Sequence, residues 1–315
     1  MSVTADDHRL RRGRFAPSPS GPLHFGSLVA ALGSFLQVRC QGGEWRVRIE
    51  DVDLPRTQPG AADAILRALE QRRLDWDGPV LYQSQRTACY QAALEQLQRT
   101  GFAYPCSCTR RELASLPRSR DGGLIYPGHC RAAPLQPHRP WAMRLRLPEI
   151  TLGFHDIVQG DYQQQLAGEV GDFIIRRADG LFAYQLAVVI DDAEQGVTEV
   201  IRGSDLLDST PRQIYLQQAL KLPTPRYGHL PVAVDRRGDK LSKQTHAPPL
   251  NDRQPGVELW EALRFLGQQP PNALRQAAPA EILAWALPHW RLASIPATLA
   301  QPWRPARFGE SLTTH

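Results

Sequence analysis

The chain lacks any charge-free apolar run approaching the roughly 18 residues that a membrane-spanning helix needs, so a membrane partner is not expected. Residues 1–12 are polar and charged without an apolar signal core, and a cytoplasmic location is the expectation. Cysteine is scarce, at 5 in 315 residues, which argues against a disulfide framework and leaves buried thiols or a metal site. Internal repeats and low-complexity tracts are absent, excluding solenoids and disordered linkers. Acidic residues fall short of basic ones, 32 against 37; the net charge of +5 suits a polyanionic partner without demanding one. With 42% hydrophobic residues the chain can bury the core of one large or two modest domains.

Periodicity predicts alternating strands and helices. A strand begins at Phe15, a helix capped by Ser27 spans 27–37, and an alternating strand over 45–50 carries Glu50 and Asp51 to its end. Amphipathic helices are expected over 59–73 and 86–100, the second closed by Gly101. Residues 181–190 read as an apolar strand or a buried helix ending in Asp191 and Asp192, followed by a strand over 197–202 and helices over 211–220, 257–265 and 280–290. This alternation predicts an α/β fold with a parallel sheet, whose ligands sit outside the carboxyl ends of the strands. The rhythm breaks from about 101 to 146, which looks inserted.

Two segments carry the chemistry. Residues 14–27 read as strand, stiffened turn and helix start: Pro17, Pro19 and Pro22 fix φ, while Gly21 and Gly26 allow close backbone approach. A helix N-terminus there offers N–H groups and a positive dipole end to phosphate. Far downstream, Lys240, Leu241, Ser242, Lys243 and Gln244 form a basic loop beside Arg236, Arg237 and Gly238. In this order and separation the two segments resemble the paired ATP-binding signatures of class I aminoacyl-tRNA synthetases, in the glutamyl form. Ser27 stands where that family commonly has a second histidine or glycine, and Leu241 and Gln244 replace its usual methionine and final serine. The resemblance implies a Rossmann-like catalytic domain over 1–256, including an inserted zinc- and RNA-binding subdomain over about 101–180, and a short helical C-terminal part over 257–315. It implies ATP contacts from His24, Gly26, Ser27 and Lys243. It also implies that His24, Lys240 and Lys243, with Mg²⁺, stabilise the charge that develops as pyrophosphate leaves.

Three of the five cysteines gather in the insertion: Cys106, Cys108 and Cys130. Cys-x-Cys followed at a distance by a third thiol suits tetrahedral zinc with a nitrogen or oxygen as fourth ligand. On chemistry alone His129 is the better fourth ligand; the family pattern implies Tyr126, and both stay open. A structural role is expected, since nothing nearby supplies a general base. Cys40 and Cys89 read as core residues. Between residues 101 and 150, eight arginines (110, 111, 118, 120, 131, 139, 144 and 146) face three acids, and with Tyr104, Tyr126 and Trp141 they suit phosphate contact and base stacking.

Glutamate offers one ammonium and two carboxylates, so its pocket needs an acid and at least one arginine. The resemblance places these at Arg14, Glu50, Tyr184 and Arg202, with Ala16 and Ser18 lining the turn; which arginine meets which carboxylate stays open. It covers about residues 12–250 and is closest to the truncated glutamyl-queuosine branch, because the 72 residues after Lys243 leave no room for a large anticodon-binding region. That branch implies a monomer that activates L-glutamate with ATP and transfers it to queuosine in the anticodon stem-loop of tRNA(Asp). Two other readings stay open here: a truncated synthetase charging a tRNA 3′ end, and a non-catalytic RNA-binding paralogue.

Overall fold

The computed structural model describes residues 10–53, 56–132, 138–235, 237–241 and 248–303. In chain order its elements are β1 (Arg12–Phe15), α1 (Phe25–Arg39), β2 (Glu44–Ile49), α2 (Ala61–Gln71), β3 (Leu81–Tyr82), α3 (Thr87–Arg99), β4 (Ala103–Cys106) and β5 (Ala142–Leu145). There follow β6 (Thr151–Asp156), β7 (Gly160–Gln165), β8 (Phe173–Arg176), α4 (Tyr184–Glu194), β9 (Glu199–Gly203), α5 (Thr210–Leu220) and β10 (Arg226–Leu230). The last are β11 (Val232–Val234), α6 (Pro255–Phe265), α7 (Pro279–His289) and β12 (Ala300–Pro302).

The parallel sheet comes in two half-sheets. Strands β1, β2 and β3 pair in parallel, and β9, β10 and β6 pair in parallel with β7 antiparallel at the edge. The halves meet at β1 and β9, where the Thr198 N–H donates to the Arg12 carbonyl at 2.9 Å. The chain leaves β1 in one direction and returns to its other side through β9. The seam is therefore the switch point at which such sheets bind ligands. Helix α1 covers the seam. Leu28, Leu32 and Leu36, spaced one turn apart, are fully buried, each contributing about 1.5–3 kcal/mol. The same core takes in Leu259, Trp260 and Leu263 of α6 and Ile282 and Ala286 of α7, so the C-terminal helices are built onto the nucleotide-side half. A strand, β12, follows them and pairs with β11.

One open alternative is decided and one local expectation changes. Of the two readings of residues 181–190 the helix holds from Tyr184 onward, as α4, whose apolar face packs into the second core while Asp191 and Asp192 end up buried. The N-cap of α1 is His24 rather than Ser27: the imidazole Nδ1 accepts the Ser27 N–H at 3.3 Å. The helix starts two residues earlier than its apolar run suggests, and the ring takes the capping role that sequence gives to a hydroxyl.

In the stretch that breaks the rhythm, β4, β5 and β8 form an antiparallel sheet, while the β6–β7 hairpin joins the second half-sheet. Among the described residues the tip has a core of four buried hydrophobic residues, Tyr104, Cys106, Leu113 and Tyr126. Buried Asp172 ties it down, accepting from Arg131 Nε at 2.7 Å, from Arg131 Nη2 at 2.6 Å, from the Leu147 N–H at 2.8 Å and from the Tyr104 hydroxyl. Gly171, at φ +70°, crosses the backbone of Tyr126 so closely that an added Cβ would lie 2.3 Å from the Tyr126 nitrogen. Gly171→Ala is therefore expected to cost about 2 kcal/mol or more, because neither backbone can yield. Thermal unfolding with limited proteolysis of the tip checks this; a loss below about 0.5 kcal/mol would contradict the packing.

Candidate active site

A cleft of about 1340 Å³ opens at the carboxyl ends of β1, β2, β9 and β10. Arg14, Ala16, Ser18, His24, Gly26, Ser27, Glu50, Tyr184, Arg202 and Lys240 all line it. The strands deliver them as the fold demands: Arg14 near the end of β1, Glu50 one residue past β2, and Arg202 near the end of β9. Tyr184 opens α4. Lys243 and Ser242 lie outside the described residues.

The charges at the cleft floor are unevenly matched. Arg14, 3% exposed, donates to both carboxylate oxygens of Asp192, at 3.2 and 3.4 Å. Asp192 also meets Arg48 Nη2 at 2.8 Å. Its carboxyl would rise on burial, but the two guanidiniums hold it below the usual range. Arg48 is fully buried; burial opposes its charge, and the carboxylates of Asp192 and Glu50 outweigh that and keep it protonated. Arg48 does not stand out in the sequence, because alternating arginines in a strand read as a solvent-facing row, and Asp192 stands out only as part of an acidic pair. Glu50 differs from both. Its Oε1 is buried with no hydrogen-bond partner, 3.5 Å from Arg48 Nη2. Burial pushes its pKa up to about 7, against the pull of Arg48 and Arg14.

Arg202 is the opposite case. It is 4% exposed, and among the described residues no carboxylate lies within 4.0 Å of it, although the other cleft-floor arginines have such partners. Neutral acceptors hold it: His229 Nε2 at 3.0 Å, the Tyr184 hydroxyl at 3.3 Å, Thr210 Oγ1 at 2.9 Å and the Leu206 carbonyl at 3.4 Å. Of the three buried guanidiniums, two thus meet carboxylates directly and Arg202 meets only neutral groups. A buried cation without a counter-ion is costly, and a ligand carrying one excess negative charge removes that cost.

On the nucleotide side, His24 Nδ1 accepts from Ser27, so the proton of the neutral ring resides on Nε2. The downstream loop folds across this turn: the Leu241 N–H donates to Ala233 at 2.8 Å, and the Leu241 carbonyl comes within 3.6 Å of the position a Gly26 Cβ would take. Lys240 Nζ meets Asp205 at 2.6 Å, which ties this loop to the segment after β9. The chain has only three lysines, Lys221, Lys240 and Lys243, and two of them sit in this loop. That scarcity is a signal which a motif search alone passes over.

In the tip, the Sγ atoms of Cys106, Cys108 and Cys130 all lie within 4.8 Å of one another. The Tyr126 hydroxyl is 3.5 Å from Cys106 Sγ and 3.3 Å from Cys108 Sγ, and Cys108 and Cys130 are 3.4 Å apart. Thiolates on a tetrahedral zinc stand roughly 3.8 Å apart, given bonds of about 2.3 Å. The four groups fit one ion with little movement. His129 is exposed, with its ring edge-on to Tyr126, and does not join the cluster. Of the two side chains, Tyr126 is the one whose polar atom lies beside the thiols.

Three readings of the sequence need correction. Cys40 is exposed, because it caps the C-terminus of α1 beyond the last buried turn; Cys89 is half-buried against the second core. Tyr104 and Tyr126 cannot stack on bases, being buried in the tip core, whereas Trp141 is exposed. Of the eight arginines, Arg144 is buried over the Tyr126 ring and Arg131 is committed to Asp172. Arg110, Arg111, Arg118, Arg120, Arg139 and Arg146 are exposed, with Arg139 paired to Glu112.

Residues 11–266 match the family model for the catalytic domain of class I tRNA synthetases (E and Q). The chain is 57% identical over 284 residues to the glutamyl-Q tRNA(Asp) synthetase of Thiobacillus denitrificans, covering 90% of this chain and 94% of that protein. It is 55% identical over 287 residues to the protein of the same name from Dechloromonas aromatica, covering 90% and 95%. A crystal structure of a glutamate tRNA ligase from Elizabethkingia meningosepticum, in complex with its amino acid, superposes with a TM-score of 0.78. It has 25% sequence identity and covers 94% of this chain and 68% of that one.

Proposed function

The chain belongs to the class I tRNA synthetases of the E and Q type, and from this premise we propose that it activates L-glutamate with ATP and transfers it to queuosine in the anticodon loop of tRNA(Asp). The observation that carries the amino-acid choice is the charge imbalance on the cleft floor. Among the described residues Arg202 has no carboxylate within 4.0 Å and Glu50 Oε1 has no hydrogen-bond partner, and glutamate brings one ammonium and two carboxylates, a net charge of −1. Glu50, with Arg48 and Asp192 behind it, receives the ammonium. Adenylation removes the charge of the α-carboxylate, so a permanent counter-ion suits the side-chain carboxylate, and Arg202 with Tyr184 takes it. Arg14, already bound to Asp192, shapes the floor beside Ala16 and Ser18.

ATP, entering with Mg²⁺, lies along the 14–27 turn with its phosphates near the start of α1, His24 and the loop bearing Lys240 and Lys243. The glutamate α-carboxylate oxygen attacks the α-phosphorus. The bond to the β-phosphate oxygen breaks and pyrophosphate leaves with the electron pair, its growing charge met by these cations. A hydroxyl of the queuosine ring then attacks the activated carbonyl and AMP departs. A cytoplasmic monomer is the form in which these substrates would be met.

Cys106, Cys108, Tyr126 and Cys130 would hold zinc as a cross-link for a tip whose own core is too small to hold itself. Purified protein should then contain about one zinc per chain, and Cys106→Ser should lose the metal and open the tip to protease. Metal-free protein with a protease-resistant tip would remove zinc from the reading. Glutamate-dependent exchange of pyrophosphate into ATP tests the activation step, and its absence would overturn it.

A further inference from the structure

Arg14 and Arg202 stand in one cleft and are aimed by opposite means. Arg14 is fixed by the carboxylate of Asp192, which orients the guanidinium and also neutralises it. Arg202 is fixed through its Nε by His229 Nε2 at 3.0 Å, an acceptor without charge. His229 is fully buried, and burial drives its pKa down to about 4, so the ring is neutral and carries one proton. Asp156 decides which nitrogen has that proton. Its Oδ2 lies 2.5 Å from His229 Nδ1, while its Oδ1 accepts the backbone N–H groups of Val158, Gln159 and His229 at 3.0, 2.8 and 3.1 Å. With Oδ1 saturated by three donors, Oδ2 takes Nδ1–H and leaves Nε2 as the acceptor that Arg202 needs. Thr210 closes the arrangement: its hydroxyl accepts from Arg202 Nη2 at 2.9 Å, 3.2 Å from the same imidazole nitrogen.

We propose that His229 and Asp156 are positioning residues that aim Arg202 at the substrate's side-chain carboxylate without spending its charge, and so set the preference for a carboxylate over the corresponding amide. A carboxylate in place of His229 would orient Arg202 equally well but would cancel the charge the ligand must meet. This rests on the reading of Arg202 as the glutamate-carboxylate site. Asp156 acts one residue removed from that contact, and its influence is exercised entirely through the tautomer of His229.

Asp156→Asn isolates the idea. The amide oxygen stays with the three backbone donors, so its NH₂ faces His229 Nδ1 and forces the proton to Nε2, where it opposes Arg202 Nε–H. In pyrophosphate exchange with the full chain, the variant should raise KM for glutamate roughly tenfold or more, leave KM for ATP within about twofold, and narrow the preference for glutamate over glutamine. His229→Gln, whose Oε1 can replace Nε2 as acceptor, should stay within about threefold of the native KM for glutamate. An unchanged KM for glutamate in Asp156→Asn, an equal rise in both KM values, or damage from His229→Gln equal to that from Asp156→Asn would overturn the proposal. Imidazole ¹⁵N resonances of the native protein give a readout that needs no activity. The Nδ1–H tautomer is expected at neutral pH, and an imidazolium or the Nε2–H form would also overturn it. This readout still decides if Asp156→Asn does not fold. Absence of glutamate-dependent exchange in the native protein would instead sink the activity reading, leaving the tautomer to judge the positioning alone.

Discussion

Replacing Arg202 with leucine is expected to lower kcat/KM for glutamate by roughly 10²- to 10³-fold, while the melting temperature stays the same or rises. The two halves of this expectation come from the same fact. Arg202 is buried among neutral acceptors with no carboxylate within 4.0 Å among the described residues, so in the empty protein its charge is a burden on stability. With glutamate bound it becomes one side of a desolvated ion pair, and removing one partner of such a pair costs about 3–5 kcal/mol. Arg202→Lys should lie between, since it keeps the charge but loses the planar fork that His229, Tyr184 and Thr210 hold at once. Pyrophosphate exchange and thermal melts measure both halves. A kcat/KM within about threefold of native would take Arg202 out of the amino-acid site, and a large drop in melting temperature would mean that it serves the fold instead.

An isolated anticodon stem-loop of tRNA(Asp) carrying queuosine should accept glutamate, and the same loop with guanine in that position should accept none. The nucleophile is a hydroxyl that guanine does not possess, so the contrast should be all or nothing. Recognition of one compact stem-loop requires a cationic surface, and the tip carries exposed Arg110, Arg111, Arg118 and Arg120 with Trp141. If all four arginines neutralise phosphates on a single-stranded loop, affinity should fall roughly 50-fold between about 50 and 200 mM salt. Locating labelled glutamate after nuclease digestion decides the site. Label on the 3′-terminal adenosine, or transfer that ignores queuosine, would make the chain a shortened ordinary synthetase.

Much of this was legible in the residues themselves. The 14–27 turn is written in proline and glycine, whose backbone limits are intrinsic to the residue. The alternating elements follow from apolar spacing, which reports burial directly, and Cys106, Cys108 and Cys130 announce themselves because thiols are few. Glu50 and Arg202 were found as types in a pattern, but their electrostatic states were not. That Arg14 is already paired with Asp192, that Arg202 has no carboxylate within 4.0 Å among the described residues, and that Glu50 Oε1 keeps no hydrogen-bond partner depend on which side chains meet across β1, β2, α4 and β9. Sequence periodicity says which face of an element is inward and nothing about what stands opposite.

The same limit explains the corrections. A tyrosine beside arginines reads as a stacking platform until Tyr104 and Tyr126 are seen to be consumed by a four-residue core. His229 carries no signal in the sequence, because Asp156, which faces its Nδ1, is 73 positions away. Local chemistry determined the elements and the stiffened turn over 14–27, because backbone preference and burial are properties of short segments. Only the tertiary structure decided which charges remain for a substrate, because a charge is spent or kept according to its neighbours, and those neighbours come from strands far apart in the chain.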